Sequence, residues 1–148
     1  MTPEEMKART MQYALRVIRL VASLPHNREG DVLGHQLLKA GTSVGANYRA
    51  ACRSRTDKDF QARMGIVEEE ADETLYWLEV LAESGIVKAE RLADLHAEGE
   101  EILAIVVASL KTVKRRMRGG TRVASGSRAV NPKSEIRNPK SPGLPSRA

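Results

Sequence analysis

The sequence predicts an all-α fold, an antiparallel up-and-down four-helix bundle with a disordered C-terminal tail, and three observations predict it. Apolar residues recur at three- and four-residue spacing through nearly all of the first 118 residues. No segment alternates apolar and polar residues as a half-buried strand would. The breakers Pro25, Gly85 and Gly119-Gly120 fall where one stripe gives way. A chain of 148 residues is long enough for one core. Stripes joined by short turns cover one another most economically as an antiparallel bundle.

The first stripe is Met11, Leu15, Ile18 and Ala22, flanked by Ala14, Val17 and Val21, and Pro25 ends that helix. The second is Leu33, Leu37, Ala40, Val44, Asn47 or Tyr48, and Ala51. Within it, the small residues Ala40, Gly41, Ser43, Gly45 and Ala46 predict a close approach by another helix, and Asn47 is placed to fix register by a hydrogen bond within the bundle. The third is Phe60, Met64, Val67, Ala71, Leu75, Leu78 and Ala82, with Thr56 as N-cap, Asp59 three residues on and Gly85 as the stop. The fourth is Leu92, Leu95, Gly99, Ile102, Val106, Leu110, Val113 and Met117, closed by Gly119-Gly120.

This divides the chain into a bundle, residues 1–118, and a basic Pro/Ser-rich tail, residues 119–148. The tail holds Pro132, Pro139, Pro142 and Pro145, and repeats Asn-Pro-Lys-Ser at a spacing of seven residues without the apolar positions of a coiled coil. Two readings of the repeat stay open: a solvated basic arm attracted to phosphate, or translated repetitive DNA appended to a finished domain. The net charge of +5 lies in this tail, where six basic residues face Glu135 alone, so residues 1–118 are neutral. A basic composition therefore says little about what the bundle binds.

Catalysis and metal binding find no support. A ferritin-like site needs Glu-x-x-His, and Ser23, Val32 and Ala93 stand three residues before His26, His35 and His96. The run Glu68, Glu69, Glu70, Asp72 and Glu73 has no histidine within a turn and reads as a solvated face. Cys52 lies among Arg49, Arg53 and Arg55 without a nearby base, which fits inert packing. Gly41-x-x-x-Gly45 lacks the Gly-Lys-Ser/Thr and the preceding strand of a phosphate loop. We expect no enzyme activity, catalytic residue, metal, cofactor or small-molecule substrate. The lone cysteine and the acidic start without an apolar segment predict a cytoplasmic protein, and no apolar run is long enough for a membrane span.

Charge segregation carries more information. Residues 39–63 hold Lys39, Arg49, Arg53, Arg55, Lys58 and Arg63 against Asp57 and Asp59, a local net of +4, whereas residues 67–101 carry a net of −10. Such a field suits phosphate on one side, or contact between subunits. The candidate nucleic-acid-binding residues are Arg49, Arg53, Arg55, Lys58 and Arg63. Residues 102–108 are apolar all round the helix and residues 75–78 on adjacent faces, more than one stripe needs. Homo-oligomerisation through the third and fourth helices is expected, with Tyr76, Trp77, Ile105 and Val107 at the interface.

Residues 36–85 strongly resemble the four-helix bundle family also called 23S rRNA intervening-sequence proteins, and the match extends over roughly residues 6–117. The residues that carry it are Gln36-Leu37, Ser43 with Asn47, Arg55, Asp59-Phe60, Glu73, Trp77 and Leu78. The resemblance implies a bacterial homopentameric ring with no known catalytic activity. It also points to the accessory proteins of diversity-generating retroelements, which bind nucleic acid and a reverse transcriptase. The chain departs from the family at Tyr48-Arg49-Ala50-Ala51, where many members have Ile-Ala-Glu-Gly; a carboxylate is replaced by positive charge. The expected function is weak, sequence-nonspecific nucleic-acid binding by a non-enzymatic homo-oligomer. The alternative is a structural or protein-interaction ring, including an accessory partner of a reverse transcriptase.

Overall fold

Three capped starts set the helix order. The computed structural model describes residues 1–123, which form α1 (Pro3–Ala22), α2 (Arg28–Cys52), α3 (Asp57–Glu83) and α4 (Ala89–Val123). Thr2 opens α1 with a capping box: its hydroxyl accepts from the Glu5 amide while the Glu5 carboxylate accepts from the Thr2 amide at 2.7 Å. Asn27 caps α2 by accepting from the Gly30 amide, and Thr56 caps α3 by accepting from the Asp59 amide, as its sequence predicts. Gly85 adopts φ +79° just past α3, a left-handed conformation open to glycine at no steric cost.

Each helix packs chiefly on its neighbours in the chain, and α1 and α4 close the bundle. All the described regular structure is helical, so the predicted all-α four-helix bundle is the observed fold. The core is built from Leu37, Val44 and Ala51 of α2, Met64, Val67, Ala71 and Leu78 of α3, and Leu92, Leu95, Ile102, Val106 and Leu110 of α4, all on the predicted stripes. The small-residue stretch does bring helices together: a Cβ on Gly41 would lie 2.8 Å from the Val17 side chain of α1.

Four expectations need correction. Met11 and Ile18 are exposed, and α1 instead buries Met6, Thr10, Tyr13 and Val17. Thr10 hides this face from a hydropathy reading, because its hydroxyl donates to the Met6 carbonyl at 3.0 Å and so enters the core already hydrogen-bonded. Asn47 does not bridge helices; its amide donates to the Ser43 carbonyl one turn back in α2, and Tyr48 takes the buried position. In α3, Leu81 lies deeper than Ala82, and Glu70 is buried while the rest of its acidic run is half-buried or exposed. Finally, Gly119-Gly120 does not close α4, which runs to Val123. A helix-ending glycine turns left-handed, which neither does, and an interior one costs only about 1 kcal/mol. Residues 124–148, with the repeat, lie outside the described residues.

Candidate nucleic-acid interface

The predicted basic residues gather where α2 hands over to α3. Arg49 is on the last turn of α2, and Arg53 caps that helix through backbone bonds to the Ala50 and Ala51 carbonyls. Arg55 sits in the four-residue turn 53–56, and Lys58 is the second residue of α3. All four are exposed. Arg63 is half-buried and stands about 9 Å up α3 from Asp57 by helical rise, so it lies at the edge of this group. Among the described residues, no side-chain hydrogen bond or ion pair engages Arg49, Arg53, Arg55 or Arg63.

Other cations are held by carboxylates. Arg9 of α1 donates to Glu98 of α4 at 2.7 and 2.9 Å and to Glu101 at 2.5 Å; these bonds raise the guanidinium pKa and hold the Glu98 carboxyl below its ordinary range. Arg116 donates twice to Asp57 at 2.9 Å, and those bonds lower the Asp57 carboxyl in the same way. Arg49, Arg53 and Arg55 thus differ from Arg9 and Arg116 in having, among the described residues, no carboxylate paired with them.

The turn borders an opening at the end of the bundle. A depression of about 560 Å3 is lined by Glu4 and Lys7 of α1, Tyr48 and Cys52 of α2, Arg55 of the turn, Asp57 of α3, and Ser109 and Arg116 of α4. It exists because α1 gives out early: only six residues precede Arg9 back to Pro3, whereas α4 continues for 22 residues beyond Glu101. Cys52 packs partly against the core, and burial followed by its contact with Cys52 pushes the Tyr48 hydroxyl pKa up.

The sequence reading missed a second basic group. Lys111, Lys114, Arg115 and Arg118 of α4 are all exposed, on a face that flanks the buried Leu110 and Val113. Charge counted over residues 1–118 cancels against the acidic segment; spacing taken helix by helix would have found it.

The acidic side faces α3 and α4. A groove of about 550 Å3 is lined by Leu75, Tyr76 and Leu103 between Asp72, Glu79 and Glu100. His96 joins the two helices through Glu79 at 2.8 Å. Of the residues expected at an oligomer interface, Tyr76 is 56% exposed, whereas Trp77 and Ile105 pack partly against the core and Val107 is half-buried. The apolar excess of residues 102–108 is therefore largely taken up within one chain. Among the described residues, no three His, Cys, Asp or Glu side chains come together as a metal site, and no helix is long and apolar enough to cross a membrane.

Comparison with known proteins agrees with the fold. A family model described as 23S rRNA-intervening sequence protein matches residues 4–108. The crystal structure of a protein of unknown function from the S23 ribosomal protein family of Bacteroides thetaiotaomicron superposes with a TM-score of 0.68 at 30% identity, over 72% of this chain and 98% of that one. No curated protein matches the chain.

Proposed function

The chain belongs to the 23S rRNA-intervening sequence protein family, and on that premise we propose that it is a non-enzymatic, cytoplasmic bacterial homo-oligomer that binds nucleic acid weakly and without sequence preference. The observation that carries this reading is the group of exposed arginines at the α2–α3 turn, Arg49, Arg53 and Arg55, which no carboxylate of the described residues answers. Exposed cations without partners gain most from phosphate, because contact releases counterions from the nucleic acid and sacrifices no internal ion pair. Tyr48, buried beside this group, and Phe60, half-buried, offer no platform for stacking bases, which favours contact with the backbone. The five copies implied by the family resemblance would repeat the basic turn around a ring.

Filter binding of the full chain to a structured RNA over a salt series tests this. Affinity is expected to fall steeply with salt, and neutralising Arg49, Arg53, Arg55, Lys58 and Arg63 to glutamine weakens it. Undiminished binding after neutralisation refutes the role of this group.

A second reading rests on the opposed charges. The acidic groove of one copy, with Asp72, Glu79 and Glu100, can receive the basic turn of another. That gives a protein-interaction ring, which would serve as the accessory partner of a reverse transcriptase. Salt would then dissociate the oligomer instead of releasing nucleic acid.

A further inference from the structure

A second basic face lies on α4. Lys111, Lys114, Arg115 and Arg118 are spaced i, i+3, i+4 and i+7, which puts all four on one face of α4. All are exposed, and among the described residues no side-chain hydrogen bond or ion pair engages them. No acidic residue occurs between Glu101 and Val123, so α4 itself cannot neutralise the face. Like charges at this spacing repel by a few tenths of a kcal/mol per pair. The bundle therefore gains nothing from concentrating them, and an anionic partner would.

Position adds to charge. The bonds from Arg116 to Asp57 set the start of α3 level with Arg116, so residues 117–123 carry α4 on for about 10 Å past that start. Arg118 and Gly119 are exposed on this end of α4. Its width, about 10 to 12 Å with side chains, matches the major groove of a B-form duplex.

Two anionic surfaces compete, and the side chains beside the stripe choose between them. A membrane-surface helix needs large apolar residues next to its cations. Here Leu110 and Val113 are buried in the core, and the exposed neighbours are Ala108, Thr112 and Gly119. Resting on the nucleic-acid reading above and deepening it, we infer that the face formed by Lys111, Lys114, Arg115 and Arg118 is the principal phosphate-contacting surface for duplex nucleic acid.

The test is fluorescence anisotropy of the full chain with a labelled 20-base-pair DNA duplex, the matching RNA duplex, and vesicles containing phosphatidylserine, over a series of salt concentrations. Neutralising all four residues to glutamine is expected to lower the salt slope on DNA by about 3 to 4 and to weaken binding at least about 100-fold at 0.1 M salt. Each single neutralisation lowers the slope by about 0.9, so the result does not hang on one heavily substituted protein. The double variant K111R/K114R keeps both slope and affinity. Tighter binding to RNA than to DNA, with the same loss on neutralisation, supports the face and names its duplex. If the fourfold variant binds as the natural chain does while R49Q/R53Q/R55Q is lost, the inference fails and the proposed function stands. If the natural chain binds neither duplex, both fail. Vesicle binding that depends on the four residues, with no duplex binding, replaces nucleic acid by a lipid surface and overturns both.

Discussion

Asp57, the first residue of α3, accepts two hydrogen bonds from the Arg116 guanidinium of α4 at 2.9 Å each. The pair is solvent-exposed, with side chains 42% and 57% accessible, so it adds little to stability. Its effect is electrostatic. One cation at the basic end is neutralised while Arg55, beside it, is left unpaired among the described residues.

Removing the carboxylate should therefore release a cation to the interface. The variant D57N is expected to bind a DNA duplex several-fold more tightly at low salt, with a salt slope steeper by about 1. Its urea midpoint moves by no more than about 1 kcal/mol equivalent. Affinity unchanged across the salt series would show that Arg116 stands outside the phosphate-contacting surface.

A second relationship concerns the core. A Cβ on Gly99 of α4 would collide with the hydroxyl of Tyr13 in α1 and come within 2.8 Å of Leu75 in α3. That hydroxyl is buried without a hydrogen-bond partner, and burial pushes its pKa up. The variant G99A is expected to destabilise by about 1 to 3 kcal/mol through overpacking, although alanine is the better helix former. Y13F deletes an unsatisfied buried group and should be neutral or slightly stabilising. Combined, they should be less harmful than the sum of the singles by at least about 0.5 kcal/mol. Additive effects in chemical denaturation would deny the contact.

The Arg9, Glu98 and Glu101 cluster makes stability depend on acid. The Glu98 carboxyl is held below its ordinary range in the folded chain, chiefly by hydrogen bonds from Arg9. A depressed carboxylate contributes stability that is complete above its unfolded pKa, near 4.3, and lost as pH falls through the folded value. E98Q should cost about 1 kcal/mol at pH 7. That difference should shrink toward zero below pH 3, where the natural chain has lost the same interaction. Urea titrations at pH 7, 5, 4 and 3 measure it, and a gap independent of pH would assign the cost to packing.

Legibility in the sequence followed how many faces of a helix are apolar. On α2, α3 and α4 the predicted stripe is the buried face, and even the all-round apolar residues 102–108 keep Ile102 and Val106 inside. On α1 the outward stripe of Met11, Leu15 and Ile18 is as apolar as the inward one, which contains Thr10. Only knowledge of the hydroxyl's bond to its own helix ranks them correctly. The basic turn was legible because its residues are contiguous in the chain, whereas the α4 face becomes visible only when charges are mapped by helical angle. The buried Glu70 was unreadable, since its neighbours Glu69 and Asp72 are exposed and nothing in the run singles it out.

The two exposed apolar regions lead to the last prediction. Tyr76 stands on the acidic groove of α3 and α4, packed edge-on against Trp77 with ring centroids 4.9 Å apart. Met11 and Ile18, 48% and 43% exposed, lie on the outward face of α1. Assembly through α3 and α4 requires Tyr76 at the interface, where an aromatic ring on a groove is a strong anchor. Light scattering of the full chain should give a multiple of 16.3 kDa. Y76E should reduce it to the monomer by burying an unpaired charge, Y76F should leave it intact, and I18E should have no effect. Dissociation by I18E with Y76E still assembled would move the interface to α1. A monomeric natural chain at micromolar concentration would dismiss assembly altogether.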